Sequence, residues 1–183
     1  MSFTSSLDFR TWLAKNHGRP GGVWLRIYKK DSGVTTVTYS EALDHALCFG
    51  WIDGQKKPND KQSWLQKFTP RRPKSGWSKN NTQHAERLIK SGDMAPAGLK
   101  EVKAAKTDGR WKAAYDSFGK AAVPDDFLKE LARNRKAKGF FETLNKTNLY
   151  SIIYRLQTAK KPETRLERMR AIIEMLSRGE KFH

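Results

Sequence analysis

The chain has 183 residues, with 36 Lys and Arg against 19 Asp and Glu and a formal net charge of +17. That length allows one buried core, with or without a helical addition, and the charge favours phosphates, anionic lipid or acidic protein as partners. Six Trp and nine Phe exclude a disordered polyelectrolyte, and the single cysteine, Cys48, excludes an intrachain disulfide.

The charge is uneven. Residues 1–55 carry 6 basic and 5 acidic groups, residues 56–90 carry 10 basic and 2 acidic, and residues 100–183 carry 20 basic and 11 acidic. No basic segment followed by an apolar run opens the sequence, and no stretch is long and apolar enough to span a bilayer. A water-soluble, cytoplasmic protein is the expectation.

In chain order, Ser5 or Ser6 caps a first helix whose apolar face is Leu7, Phe9, Trp12 and Leu13, closed by His17-Gly18. Val23 to Tyr28 alternates as a strand, Asp31-Ser-Gly33 turns the chain, and Val34 to Val37 offers a short second strand. Thr38 and Glu41 have capping-box spacing and start a helix through Leu43, Ala46, Leu47 and Phe49 that ends at Gly50. Asp53-Gly54 then reads as a turn. Ser63 to Thr69 alternates again, with Trp64, Gln66 and Phe68 on one face, and Pro70 is expected to leave the sheet. A helix capped by Ser75 or Ser78 places Ala85, Leu88 and Ile89 inward, and another from about Ala95 to Lys106 uses Leu99, Val102 and Ala105.

Ser117 to Val123 reads as a linker, and everything beyond it is helical. Pro124 opens a helix with Phe127, Leu128 and Leu131; a second contributes Phe140 and Phe141; a third carries Leu149, Ile152, Ile153 and Leu156. Pro162 starts the last, with Leu166, Met169, Ile173 and Leu176, and Gly179 ends it. The predicted fold class is α+β: a small β-sheet with packed helices over residues 1–118, followed by a C-terminal helical bundle over 119–183 packed on the first.

Three segments could carry chemistry. In Ala46 to Lys57, A-L-C-F-G-W-I-D-G-Q-K-K, Asp53 is a weak candidate for an acid/base role or a metal ligand. Against this, Asp-Gly is a common turn dipeptide, and no second carboxylate, His or Cys lies at ligand spacing. Cys48 has His45 three residues away on the same helical face, yet it sits between Leu47 and Phe49 on an apolar stripe, which favours core over nucleophile. In Phe68 to Lys79, Arg71, Arg72 and Lys74 are proline-stiffened cations suited to phosphate or carboxylate, with Trp64, Phe68 and Trp77 beside them. In Tyr154 to Arg165, Lys160, Lys161 and Arg165 form an exposed basic turn. No P-loop, dinucleotide fingerprint, nucleophile elbow or zinc-protease motif is present, so no cofactor and no metal site are expected.

The blocks A-L-C-F-G-W-I-D-G-Q, W-L-Q-K-F-T-P-R-R-P-K-S-G-W-S and Y-R-L-Q-T-A-K-K-P-E-T-R together resemble the YdeI/OmpD-associated, or bacteriocin-protection, family, from about Phe3 to the C-terminus. The segment from about Val123 looks like that family's C-terminal helical module. The resemblance implies a link to tolerance of bacteriocins and cationic antimicrobial peptides, and carries over no catalytic residues. A chain of charge +17 repels cationic peptides. Any protection is therefore expected to be indirect, through a cytoplasmic ligand or regulatory partner.

The leading expectation is a non-enzymatic stress-tolerance protein that binds an anionic small molecule or acidic macromolecule. Its ligand residues would be Trp51, Asp53, Gln55, Arg71, Arg72, Lys74 and Trp77. One alternative is an enzyme acting on a small anionic substrate with Asp53 as acid/base; another is non-specific nucleic-acid binding.

Overall fold

The computed structural model describes residues Met1–His183. The chain forms two compact units, Met1–Ala114 and Tyr115–His183, each with its own hydrophobic cluster.

In the first unit, α1 spans Ser6–Asn16, β1 Val23–Tyr28, α2 Tyr39–Cys48, β2 Trp51–Pro58, β3 Ser63–Pro70, α3 Lys79–Lys90 and α4 Pro96–Thr107. Capping boxes start α1 (Ser5 with Asp8) and α2 (Thr38 with Glu41), and the Ser78 side chain caps α3. Each such cap is worth about 1 kcal/mol. The three strands form one antiparallel sheet in the order β1-β3-β2.

Alternation on β1 and β3 sorts the sheet into two faces. Val23, Leu25 and Ile27 lie opposite Phe68, Gln66 and Trp64, and the inner face so formed joins Phe9 and Leu13 of α1 and Leu43, Ala46 and Leu47 of α2 in the core. Each of these large apolar side chains contributes roughly 1.5–3 kcal/mol by burial. Leu7 of α1 is exposed, so the apolar face of that helix is narrower than its sequence suggests.

Three expectations are corrected on this sheet. Residues Trp51–Pro58 form β2, where Asp53-Gly54 was expected to turn, while Val34–Val37 has no strand partner and runs as coil. The turn signal is absorbed by a β-bulge: Asp53 pairs with Phe68 and Lys56 with Gln66, so Gly54 and Gln55 together oppose Lys67. The Gln66 amide donates to the Gly54 and Gln55 carbonyls at 3.0 and 3.3 Å and so satisfies backbone acceptors that the bulge frees. Pro70 also stays in the sheet, as the last residue of β3 opposite Trp51, a strand end where the missing N–H costs little.

In the second unit, α5 spans Asp125–Ala132, α6 Arg135–Phe141, α7 Lys146–Gln157 and α8 Pro162–Ser177. Phe127, Leu131, Ile152, Leu156, Met169, Ile172 and Leu176 fill its core. Ile89, Leu99, Leu128 and Leu166, read as inward-facing, lie exposed at the margins of their helices. The whole is α+β with a C-terminal helical set, and no helix is long and apolar enough to cross a membrane.

Candidate functional site

Gly50 ends α2 with φ +75° and lets the chain reverse at once into β2. A Cβ there would stand 3.1 Å from the Ala97 carbonyl oxygen of α4, so the residue also permits close packing. The reversal puts Trp51 at the first position of β2, fully buried, its indole N–H donating to the His17 carbonyl at 2.7 Å and its ring edge-on to Trp12. Next to it the Arg71 N–H donates to the Gly50 carbonyl at 3.0 Å, extending the β2–β3 pairing by one step.

Trp51 and Arg71 thereby share one concavity of about 440 Å³, together with His17, Pro96, Lys100 and Glu101. Arg71 is buried, donates to the Gly76 carbonyl at 3.1 Å and lies over Trp77, its guanidinium carbon 3.4 Å from the ring centroid. Trp77 packs in turn on Trp111 at 4.9 Å between centroids. Arg110 donates to the Ser75 carbonyl at 2.9 Å and ties the Ser75–Trp77 segment down. Arg72 and Lys74 are exposed on the turn that leaves β3. Lys74 has φ +63°, and no other residue except glycines has a positive φ.

The remaining expected site residues lie elsewhere. Asp53 is half-buried on the inner side of β2 and accepts a hydrogen bond from the Tyr39 hydroxyl at 2.7 Å. Gln55 is an exposed bulge residue whose backbone carbonyl is its described contact. Trp77 reaches the concavity only through Arg71. Nothing in the sequence marks His17, Lys100 or Glu101 as site residues, because their proximity depends on how α1 and α4 pack and leaves no local pattern.

Electrostatics argue against nucleophilic chemistry on α2. Burial first, outweighing a favourable contact with Arg10, pushes the Cys48 thiol up, and burial together with Arg10 holds His45 below its ordinary value. A thiol kept protonated beside an imidazole kept neutral is not an activated pair. No three His, Cys, Asp or Glu side chains converge into a metal-binding group. In the second unit, Arg165 is engaged by Asp126 in a two-pronged ion pair, while Lys160 and Lys161 are exposed.

Two family models match the chain. Residues 120–179 match one described as "Bacteriocin-protection, YdeI or OmpD-Associated", and residues 1–101 match a separate one described as "Domain of unknown function (DUF8412)". No curated protein and no solved structure matches. The second match covers the sheet, its helices and the Trp51 concavity, more than half of the sequence; the chain therefore belongs to the DUF8412 family and carries a YdeI/OmpD-associated domain over residues 120–179.

Proposed function

We propose that the protein is a non-enzymatic, cytoplasmic binding module that contributes to stress tolerance, bacteriocin tolerance included, by taking an anionic partner at a basic, Trp-bearing surface. That surface comprises the Trp51 concavity and the Arg71–Lys74 turn beside it. The observation that carries this reading is the concavity itself, where a buried arginine stacked on one tryptophan meets a second buried tryptophan and the cation Lys100. The cations open to a ligand are Lys100 in the concavity and Arg72 and Lys74 on the turn, while the buried Arg71, stacked on Trp77, holds that turn in place.

Lys74 adds support. A lysine in the left-handed region costs on the order of 1 kcal/mol, and a glycine there would avoid the strain. Retaining the lysine is explained if its charge is used at that turn. The link to bacteriocins comes from the description of the model matched by residues 120–179, and the net charge of +17 favours an indirect route over capture of the cationic peptide itself. Asp53 fits a structural role under this reading, since its carboxylate is taken up by Tyr39.

Titration of the purified protein with inorganic phosphate and with a small dicarboxylate, each followed by calorimetry, tests the assignment. Lys74→Gly combined with Arg72→Ala keeps the turn and removes two charges, and should weaken binding and flatten its salt dependence. Unchanged affinity in that variant, or no heat with either anion, would sink the assignment.

A further inference from the structure

The outer face of the sheet, opposite the core, has a composition that the fold does not need. Trp24, Arg26 and Tyr28 of β1 lie on it, paired with Lys67, Leu65 and Ser63 of β3, and Lys57 of β2 pairs with Leu65 from the other side. Trp24, Tyr28 and Leu65 are half-buried and belong to neither hydrophobic cluster. A sheet face open to water is expected to alternate polar residues with the buried set, so two large aromatic rings there are unforced.

The cations around those rings are arranged about Trp24. The Lys57 ammonium lies 4.4 Å and the Lys67 ammonium 5.4 Å from its ring centroid, and neither makes an ion pair. Arg26 is different: it stacks at 4.4 Å on Tyr28 and is neutralised by Asp60 at 2.6 Å. Two like charges gathered at one indole without an acid repel each other, and an anion arriving between them relieves that repulsion. The bulge at Gly54-Gln55 is what brings Lys57 to this face, since without the extra residue it would point inward.

We propose that this outer face binds single-stranded nucleic acid: the Lys57 and Lys67 ammonium groups that lie over the Trp24 ring swing out to the flanking phosphates, and the indole face they leave stacks on a base. A single strand supplies both components at once, a π-face for the indole and phosphates for the ammonium groups. A duplex keeps its bases stacked on one another and offers the indole nothing, and an acidic protein segment would engage the lysines alone. This surface is distinct from the Trp51 concavity, so either assignment can fail without the other.

The test is fluorescence anisotropy with a labelled thymidine oligonucleotide of roughly 15 nucleotides, within the footprint of known single-strand binders, across a range of salt concentrations. The full-length protein should bind with a dissociation constant of about 100 micromolar or tighter. Trp24→Ala should weaken binding roughly five- to hundredfold, whereas Trp24→Phe, which keeps a stackable ring, should retain most of it. Lys57→Gln with Lys67→Gln should lower the slope of log affinity against log salt by about 1.4. The Trp24→Ala effect should persist when Arg72→Ala and Lys74→Gly are also present, which separates this face from the basic turn after β3. The proposal is overturned by absence of binding at low salt, by Trp24→Ala binding as well as wild type, or by duplex or polyglutamate competing on equal terms with the single strand.

Discussion

Tyr39 donates to Asp53, and the fold controls the protonation of that phenol. Burial first, and the hydrogen bond to Asp53 second, hold the Tyr39 phenol well above its ordinary value. In the unfolded chain the phenol loses its proton as pH passes about 10, while the folded chain still holds it. The folded state then binds more protons than the unfolded one, so stability falls as pH rises through and beyond that value. Tyr39→Phe should remove this part of the alkaline dependence. At neutral pH the same variant should lose about 1–3 kcal/mol, because the half-buried Asp53 carboxylate is left without its donor. Urea unfolding at pH 7 and pH 11 measures both effects, and an alkaline loss in the variant equal to that of wild type would contradict the account. Nothing in the sequence pairs Tyr39 with Asp53; the bond depends on how α2 returns along β2.

Helices were legible from their ends and strands from their alternation, and the exception, β2, is instructive. Its burial falls from Trp51 to an exposed second half, so no alternation marks it, and the Asp53-Gly54 dipeptide that suggests a turn is accommodated by the bulge. Without β2 the register that joins Gly50 to Arg71 and Trp51 to Pro70 cannot be derived, and so neither can the concavity nor the position of Lys57. The packing of α4 was equally hidden. Gly98 lets that helix cross the end of α2 at backbone distance: a Cβ would stand 2.3 Å from the Cys48 carbonyl oxygen and 2.7 Å from that of Leu47. Gly98→Ala should therefore destabilise the first unit by about 1–3 kcal/mol despite alanine's higher helix propensity. It should also shift Pro96 and Lys100 at the concavity. Gly139, in α6 with nothing within 4 Å of its added Cβ, provides the contrast: Gly139→Ala should gain up to about 1 kcal/mol. Equal effects of the two substitutions in urea melts would remove the backbone-contact explanation.

At the scale of the molecule, two hydrophobic clusters imply two folding units. The first gathers Phe9, Leu13, Leu25, Ile27, Leu47, Trp51 and Phe68 from two helices and three strands, and the buried residues of the second all lie on α5 to α8. Their composition leads to different expectations for residues 1–114 and 115–183 expressed separately. The first fragment should show a cooperative urea transition. The second is near the size at which a single small core is marginal, so it should fold with lower stability. Asp126 and Arg165 make that stability sensitive to acid. The hydrogen bond from Arg165 is the largest influence holding the Asp126 carboxyl below its ordinary value, and this pair joins the start of α5 to α8. A depressed carboxyl contributes stability that is fully present above about pH 4 and is lost as pH falls through its folded value. Because the Asp126 side chain is 56% accessible and solvent screens the pair, the contribution is expected to stay below about 1 kcal/mol. In a marginal fragment even that is measurable. Helical circular dichroism of residues 115–183 during urea unfolding at pH 7 and pH 3 should show an acid loss that Arg165→Ala reduces, and an identical acid response in the variant would assign the loss to other carboxylates.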